Sequence, residues 1–189
     1  MDLFPVFSFL INRGKCRYCH NPISICYWLL ELVTALMLLG FKELNGYSVL
    51  LFLLCSILLI LAAVDFQTMY VPESLLLACL FITVLMNQVY YNHRLSEIFL
   101  AILSTSGIML LFNQINKDGF GSGDIKLMAI ISLTLGSKTF MVMIWAVISA
   151  GIIAFYLRFF RNCQSRYLPF VPFLACGIIV ELLGIVSFH

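Results

Sequence analysis

"YSVLLFLLCSILLILAAVD", Tyr47 to Asp65, decides the fold. No charge interrupts it before Asp65. An α-helix needs about 20 apolar residues to cross the hydrocarbon core of a bilayer. Tyr47–Val64 fits that need, and the run then ends on a carboxylate.

Six further stretches read the same way: Ile23–Gly40, Pro72–Tyr91, Leu95–Asn113, Ile125–Gly136, Thr139–Phe159 and Phe170–Val186. Ile125–Gly136 is the shortest. Polar breaks such as "KELNG", "YYNHR", "NQINKDGFGSG", "GSK" and "RNCQSRYLP" separate them. The composition agrees. The chain is 62% hydrophobic and 11% charged, where soluble domains sit near about 45–50% and 25%. The expected fold class is all-α, a polytopic transmembrane helix bundle of about seven spans. No stretch is left for a large soluble domain. The opening "MDLFPVFSFLIN" is too short to span and lacks the basic start and cleavage site of a signal peptide. A net charge of +2 without a dense Lys/Arg block points away from nucleic acid as a partner. The seven cysteines are scattered and form no secreted disulfide framework.

Orientation follows from the cations. With the N-terminus in the cytoplasm, Arg13, Lys15, Arg17, Lys117, Lys126, Arg158, Arg161 and Arg166 fall inside. Lys42, Arg94 and Lys138 fall outside, which obeys the positive-inside rule. The same parity brings Asp65, at the end of the second span, and Asp124, at the start of the fifth, to one membrane depth at the cytoplasmic side. Carboxylates at membrane depth are costly and mark functional sites by default. Two of them side by side share a proton, because like charges that close do not both ionise. The ionised one draws a proton from water and the protonated one donates to a carbonyl oxygen.

Asp124 lies in "GFGSGDIKL", Gly119 to Leu127. Its glycines allow close approach of backbone to an extended substrate. The stretch is no phosphate loop, since the G-x-x-x-x-G-K-[ST] spacing is missing. Plainer readings stand beside the catalytic one. Asp124 also reads as the N-cap of a helix starting at Ile125, and Asp65 as a residue at a helix end facing water.

Together these motifs resemble the type IV prepilin peptidases, membrane aspartic proteases with a G-x-G-D motif. Gly121-Ser122-Gly123-Asp124 followed by Ile125-Lys126-Leu127 is similar to that family's G-x-G-D-x-K-L. Asp65 with Pro72 in "DFQTMYVP" resembles its first aspartate motif. "LPFVPFLACG", Leu168 to Gly177, resembles its C-terminal proline-phenylalanine segment. "RGKCRYCHNPIS" and "LLELVTAL", with Cys16, Cys19, Pro22 and Glu31, resemble the region before its second helix. The resemblance covers essentially the whole chain. It implies Asp65 and Asp124 as the catalytic pair, with Gly121, Gly123, Lys126 and Pro72 as supporting motif residues. It implies cleavage of a short basic leader from prepilins or pseudopilins of type IV pili and type II secretion, in the bacterial inner membrane, with lipid around the helices and no cofactor needed for cleavage.

The departure lies at the N-terminus. Family members begin with a further helix and a cytoplasmic loop holding two C-x-x-C pairs that bind zinc in many members. This chain reads as starting after the first helix and the first pair. Cys16 and Cys19 supply two thiolates, and structural zinc takes four ligands. His20 and Cys26 are the other donors at hand. The alternative is a pair of reduced thiols. The family's second activity, methylation with S-adenosylmethionine, belongs to that N-terminal part, so the expectation is a chain that cleaves but does not methylate. Glu31 and Glu181 read as carboxylates hydrogen-bonded within the bundle. His93 and His189 carry no constellation. Two other classes remain: a presenilin-like G-x-G-D protease, disfavoured by "LPFVPFLACG" where a P-A-L motif belongs, and a non-catalytic membrane protein or inactivated remnant.

Overall fold

The computed structural model describes residues 9, 12, 14–17, 19–40, 45–91, 95–115, 120–160 and 168–187. Each of the seven apolar stretches is helical. In chain order they are α1 (Ile25–Gly40), α2 (Gly46–Thr68), α3 (Glu73–Met86), α4 (Leu95–Ile115), α5 (Ser122–Leu135), α6 (Thr139–Phe160) and α7 (Val171–Ser187). A π-helical turn, Asn87–Tyr91, extends α3. No strand occurs among the described residues, and the chain is an all-α membrane protein.

By length and composition four stretches are able to cross a bilayer: Gly46–Thr68, Glu73–Tyr90, Ser96–Gln114 and Ser122–Phe159. The last is two helices. A 3-10 turn at Gly136–Lys138 separates α5 from α6, and Gly136 there has φ 54°. That left-handed region favours glycine over any residue with a Cβ. With 14 residues α5 is about 21 Å long, short of the roughly 30 Å hydrocarbon thickness. Its shortness therefore matches the sequence expectation.

Packing divides the chain into two compact units, Met1–Phe52 and Leu53–His189, with the boundary inside α2. In the first unit α1 follows a tight turn. Lys15 bridges Pro22, the Cys16 N–H donates to Asn21 O at 2.9 Å, and the His20 N–H donates to Cys16 O at 2.9 Å. Cys16 and Cys19 sit in this turn, and neither is in a disulfide.

The second unit is built from stripes. In α2, Leu54, Leu58 and Leu61 are buried, and the next position of that spacing is Asp65. In α5 the stripe is Asp124, Leu127, Met128, Ile131 and Leu135. Both aspartates thus lie on the inward face of their helix by the 3.6-residue period. α5 packs against α3, α4 and α6, and α6 packs against α7. The outward faces are equally greasy: Leu77, Phe81, Phe99, Trp145, Ile152 and Phe159 are all exposed. Helices apolar on both faces suit lipid rather than water. Several hydroxyls inside the helices bond back to their own carbonyls, as Thr105 does to Ala101 at 2.7 Å and Thr134 to Ile131 at 2.9 Å. This satisfies them where no water is at hand.

Candidate active site

α5 begins at Ser122, three residues before the expected Ile125, and this corrects the capping alternative. The N-cap is Gly121, with φ −65° and ψ 151°. Asp124 stands at the third helical position instead. Its Oδ2 accepts the Gly121 N–H at 3.2 Å, which satisfies one orphan donor of the helix start. The aspartate is both a helix-start partner and a buried group, 7% exposed.

Asp65 is not at a wet helix end. It is 6% exposed, and α2 continues past it to Thr68. Its Oδ2 accepts the Val171 N–H at 3.1 Å. Val171 is the first residue of α7, so the carboxylate sits at the positive end of that helix. An amide on one oxygen of each aspartate fixes its orientation.

The two aspartates face one cavity of about 180 Å³, which Tyr70, Val71, Glu73 and Lys126 also line. Asp65, Asp124, Gly121, Gly123 and Lys126, expected as one constellation, are brought together here. Pro72 is next to it. It is the N-cap of α3, φ −66° and ψ 130°, between the cavity residues Val71 and Glu73. Cys16 and Cys19 belong to the other unit.

Gly123 has a reason that the sequence reading lacked. A Cβ there would meet the Val71 Cβ at 2.6 Å. Val71 belongs to the loop between α2 and α3, so the bare α-carbon lets the start of α5 close onto that loop. Val71 occupies the place a Cβ would take at Gly123, which also lines the cavity.

Further residues that the sequence reading did not single out complete the site. Asn113 clamps Phe120: its Nδ2 donates to Phe120 O at 2.8 Å, and the Phe120 N–H donates to its Oδ1 at 2.6 Å. The Phe120 ring packs on Phe112 at 5.4 Å and on Phe170 at 4.9 Å. Phe170 precedes the amide that holds Asp65. One aromatic contact thereby joins the approach to Asp124 with the support of Asp65. The one signal for this in sequence was the Phe-rich "LPFVPFLACG".

Val171 yields a narrow prediction. Proline is tolerated at the first helical position, where its missing N–H bonds to no helical carbonyl. Val171→Pro therefore keeps α7 and removes the Val171 N–H that bonds Asp65, while Val171→Ala controls for loss of the buried side chain. We expect turnover to fall on the order of tenfold, with Val171→Ala near wild type. Equal turnover in the two variants would show that the amide does not matter.

Glu181 pairs with Lys138 at 3.0 Å, so it has a partner as expected. Glu31 does not follow that expectation. It is exposed on α1, away from the buried Met37, and its carboxylate has no hydrogen bond to a described residue. His93 and His189 lie outside the described residues. No group of three or more His, Cys, Asp or Glu able to hold a metal occurs among the described residues, and two thiols leave a tetrahedral site half made.

A helical membrane protein with two buried aspartates on one cavity is the class that fold and site define. Comparison with known proteins narrows it. The model of the Type IV leader peptidase family matches residues 52–156, and that of the Bacterial Peptidase A24 N-terminal domain matches residues 1–42. The chain belongs to the Type IV leader peptidase family. A prepilin leader peptidase/N-methyltransferase of Bacillus subtilis (strain 168) is 32% identical over 203 residues, covering 100% of this chain and 79% of that protein. Its namesake in Burkholderia pseudomallei (strain K96243) is 34% identical over 185 residues, covering 92% of this chain. The chain spans 59% of that relative's length. No solved structure matches the chain.

Proposed function

We propose that this chain is an aspartic endopeptidase that removes the leader from prepilins or pseudopilins. The observation that carries the reading is the pair Asp65 and Asp124, both buried and both on one cavity. Family membership supplies the substrate class. Its relatives' names include prepilin leader peptidase.

The chemistry is that of a shared proton. One carboxylate takes a proton from a water molecule, whose oxygen attacks the scissile carbonyl carbon. The protonated partner gives its proton to the carbonyl oxygen. The tetrahedral intermediate then collapses: the carboxylate that took the water proton gives it to the leaving nitrogen, the C–N bond breaks, and the other carboxylate takes a proton from a hydroxyl of the intermediate, which restores the shared proton. Neither a metal nor a cofactor has a part in these steps. The amides of Gly121 and Val171 hold the two carboxylates in place throughout.

The eight-to-three cation split supports a cytoplasmic N-terminus and a cavity at the cytoplasmic face of the inner membrane. We propose cleavage without methyl transfer; S-adenosylmethionine has a role only where methylation is retained.

One experiment addresses both face and activity. Inside-out inner-membrane vesicles carrying the chain should shorten an added prepilin, while spheroplasts should not. Mass spectrometry of the product should show an unmethylated N-terminus. Absence of cleavage in inside-out vesicles and in detergent alike would sink the peptidase reading. A methylated product would overturn the narrower one.

A further inference from the structure

Beside the dyad stands a charge pair that the proposed chemistry does not use. Lys126 Nζ donates to Glu73 Oε1 at 2.6 Å. Glu73 opens α3, and Lys126 lies in the first turns of α5, two residues after Asp124. Both side chains line the same cavity as the aspartates. The pair is open to water, with side-chain exposures of 54% and 70%. Pairs this open to water contribute little to stability. Fold stability alone does not explain a close ion pair at this place.

Its position in the chain does. α2 ends at Thr68 and α3 starts at Glu73, so only the short loop between them joins Asp65 to Glu73. Lys126 takes hold of Glu73 from the helix that carries Asp124. The chain from Asp65 through the loop to Glu73, the ion pair, and the chain from Lys126 back to Asp124 form one closed circuit. The loop is strained as well. Met69 holds φ 52° without being glycine, a conformation that persists only when its surroundings enforce it. Two contacts secure the loop near its ends: the Met69 N–H on Asp65 O at 2.8 Å, and Val71 against Gly123.

We infer that the Glu73–Lys126 ion pair is a latch that holds the loop between α2 and α3 against α5, and so sets the spacing of the two aspartates. Glu73 and Lys126 are positioning residues. This inference rests on the peptidase reading for its effect on rate, but the latch itself is a property of the loop.

The test uses Glu73→Gln, Lys126→Met and the exchanged pair Glu73→Lys with Lys126→Glu, in the full chain in detergent. Each single variant should lower kcat on the order of tenfold with KM within about twofold, because misplacement of catalytic groups costs rate rather than binding. The exchanged pair should recover most of the loss. In parallel, a Val71→Cys thiol reports on the loop without any cleavage. Its modification by a soluble maleimide, read at residue 71 by mass spectrometry, should be several-fold faster with Glu73→Gln and slow again with the exchanged pair. Labelling that is indifferent to Glu73 overturns the latch, whatever the cleavage data show. A loss confined to KM also overturns it, since the two residues would then bind substrate. Loop labelling as expected, with no prepilin cleavage by the unaltered chain, would keep the latch and sink the peptidase reading instead.

Discussion

Asp65→Asn and Asp124→Asn are each expected to lower prepilin cleavage by about a thousandfold, and the double variant is expected to fall no further. A positioned acid or base contributes roughly 10²–10⁴-fold. Here either loss removes the shared proton cycle, so the two effects do not add. Asparagine is the informative replacement. Its side-chain oxygen still accepts the Val171 N–H at position 65 and the Gly121 N–H at position 124, the bonds that hold the aspartates now. The supports of α5 and α7 therefore remain, and loss of activity reports on chemistry. The measurement is a gel shift of a prepilin in detergent, with membrane insertion of each variant checked by fractionation. Wild-type cleavage by either single variant would remove the aspartic mechanism. Loss of insertion in both would mean that the buried carboxylates serve folding first.

The fold was legible because lipid solvation leaves a simple trace. Long apolar runs broken by short polar ones matched the seven long helices of the described residues, with ends within a few residues. What the runs hide is their inner face. In α2, leucines occupy every side of the helix, so the stripe Leu54, Leu58, Leu61, Asp65 has no contrast against its neighbours. Amphipathic period is a signal only where the other face is polar. Asp65 was found as a charge, not as the end of a buried row. Long-range backbone bonds were invisible for another reason. The Val171 amide meets Asp65 across 106 positions in the chain, and no local pattern encodes that meeting. Glu73 was passed over since an exposed acid at a helix start is ordinary. Its meaning depends on Lys126, 53 residues away.

Gly123→Ala is the second large effect expected, and its direction runs against helix propensity. Gly123 lies within α5, where alanine is favoured over glycine by about 1 kcal/mol. A site that needed only the helix would gain from the change. The added Cβ, however, would stand 2.6 Å from the Val71 Cβ and 2.8 Å from its Cγ2. The Val71 Cβ is fixed to the backbone, so a rotamer change does not relieve the contact. The loop or the start of α5 has to move, and Asp124 rides on that first turn. A displacement near 1 Å costs on the order of 100-fold in rate, which is the loss expected for Gly123→Ala. The choice of second-site change makes the cause identifiable. Val71→Ala keeps the Cβ and should not restore the Gly123→Ala enzyme. Val71→Gly removes it and should return at least about tenfold of the rate, despite the looser loop. Rescue by alanine as fully as by glycine would show that bulk, not this contact, is at fault. If Gly123→Ala cleaved at the wild-type rate, the close approach of α5 to the loop would have no part in placing the aspartates.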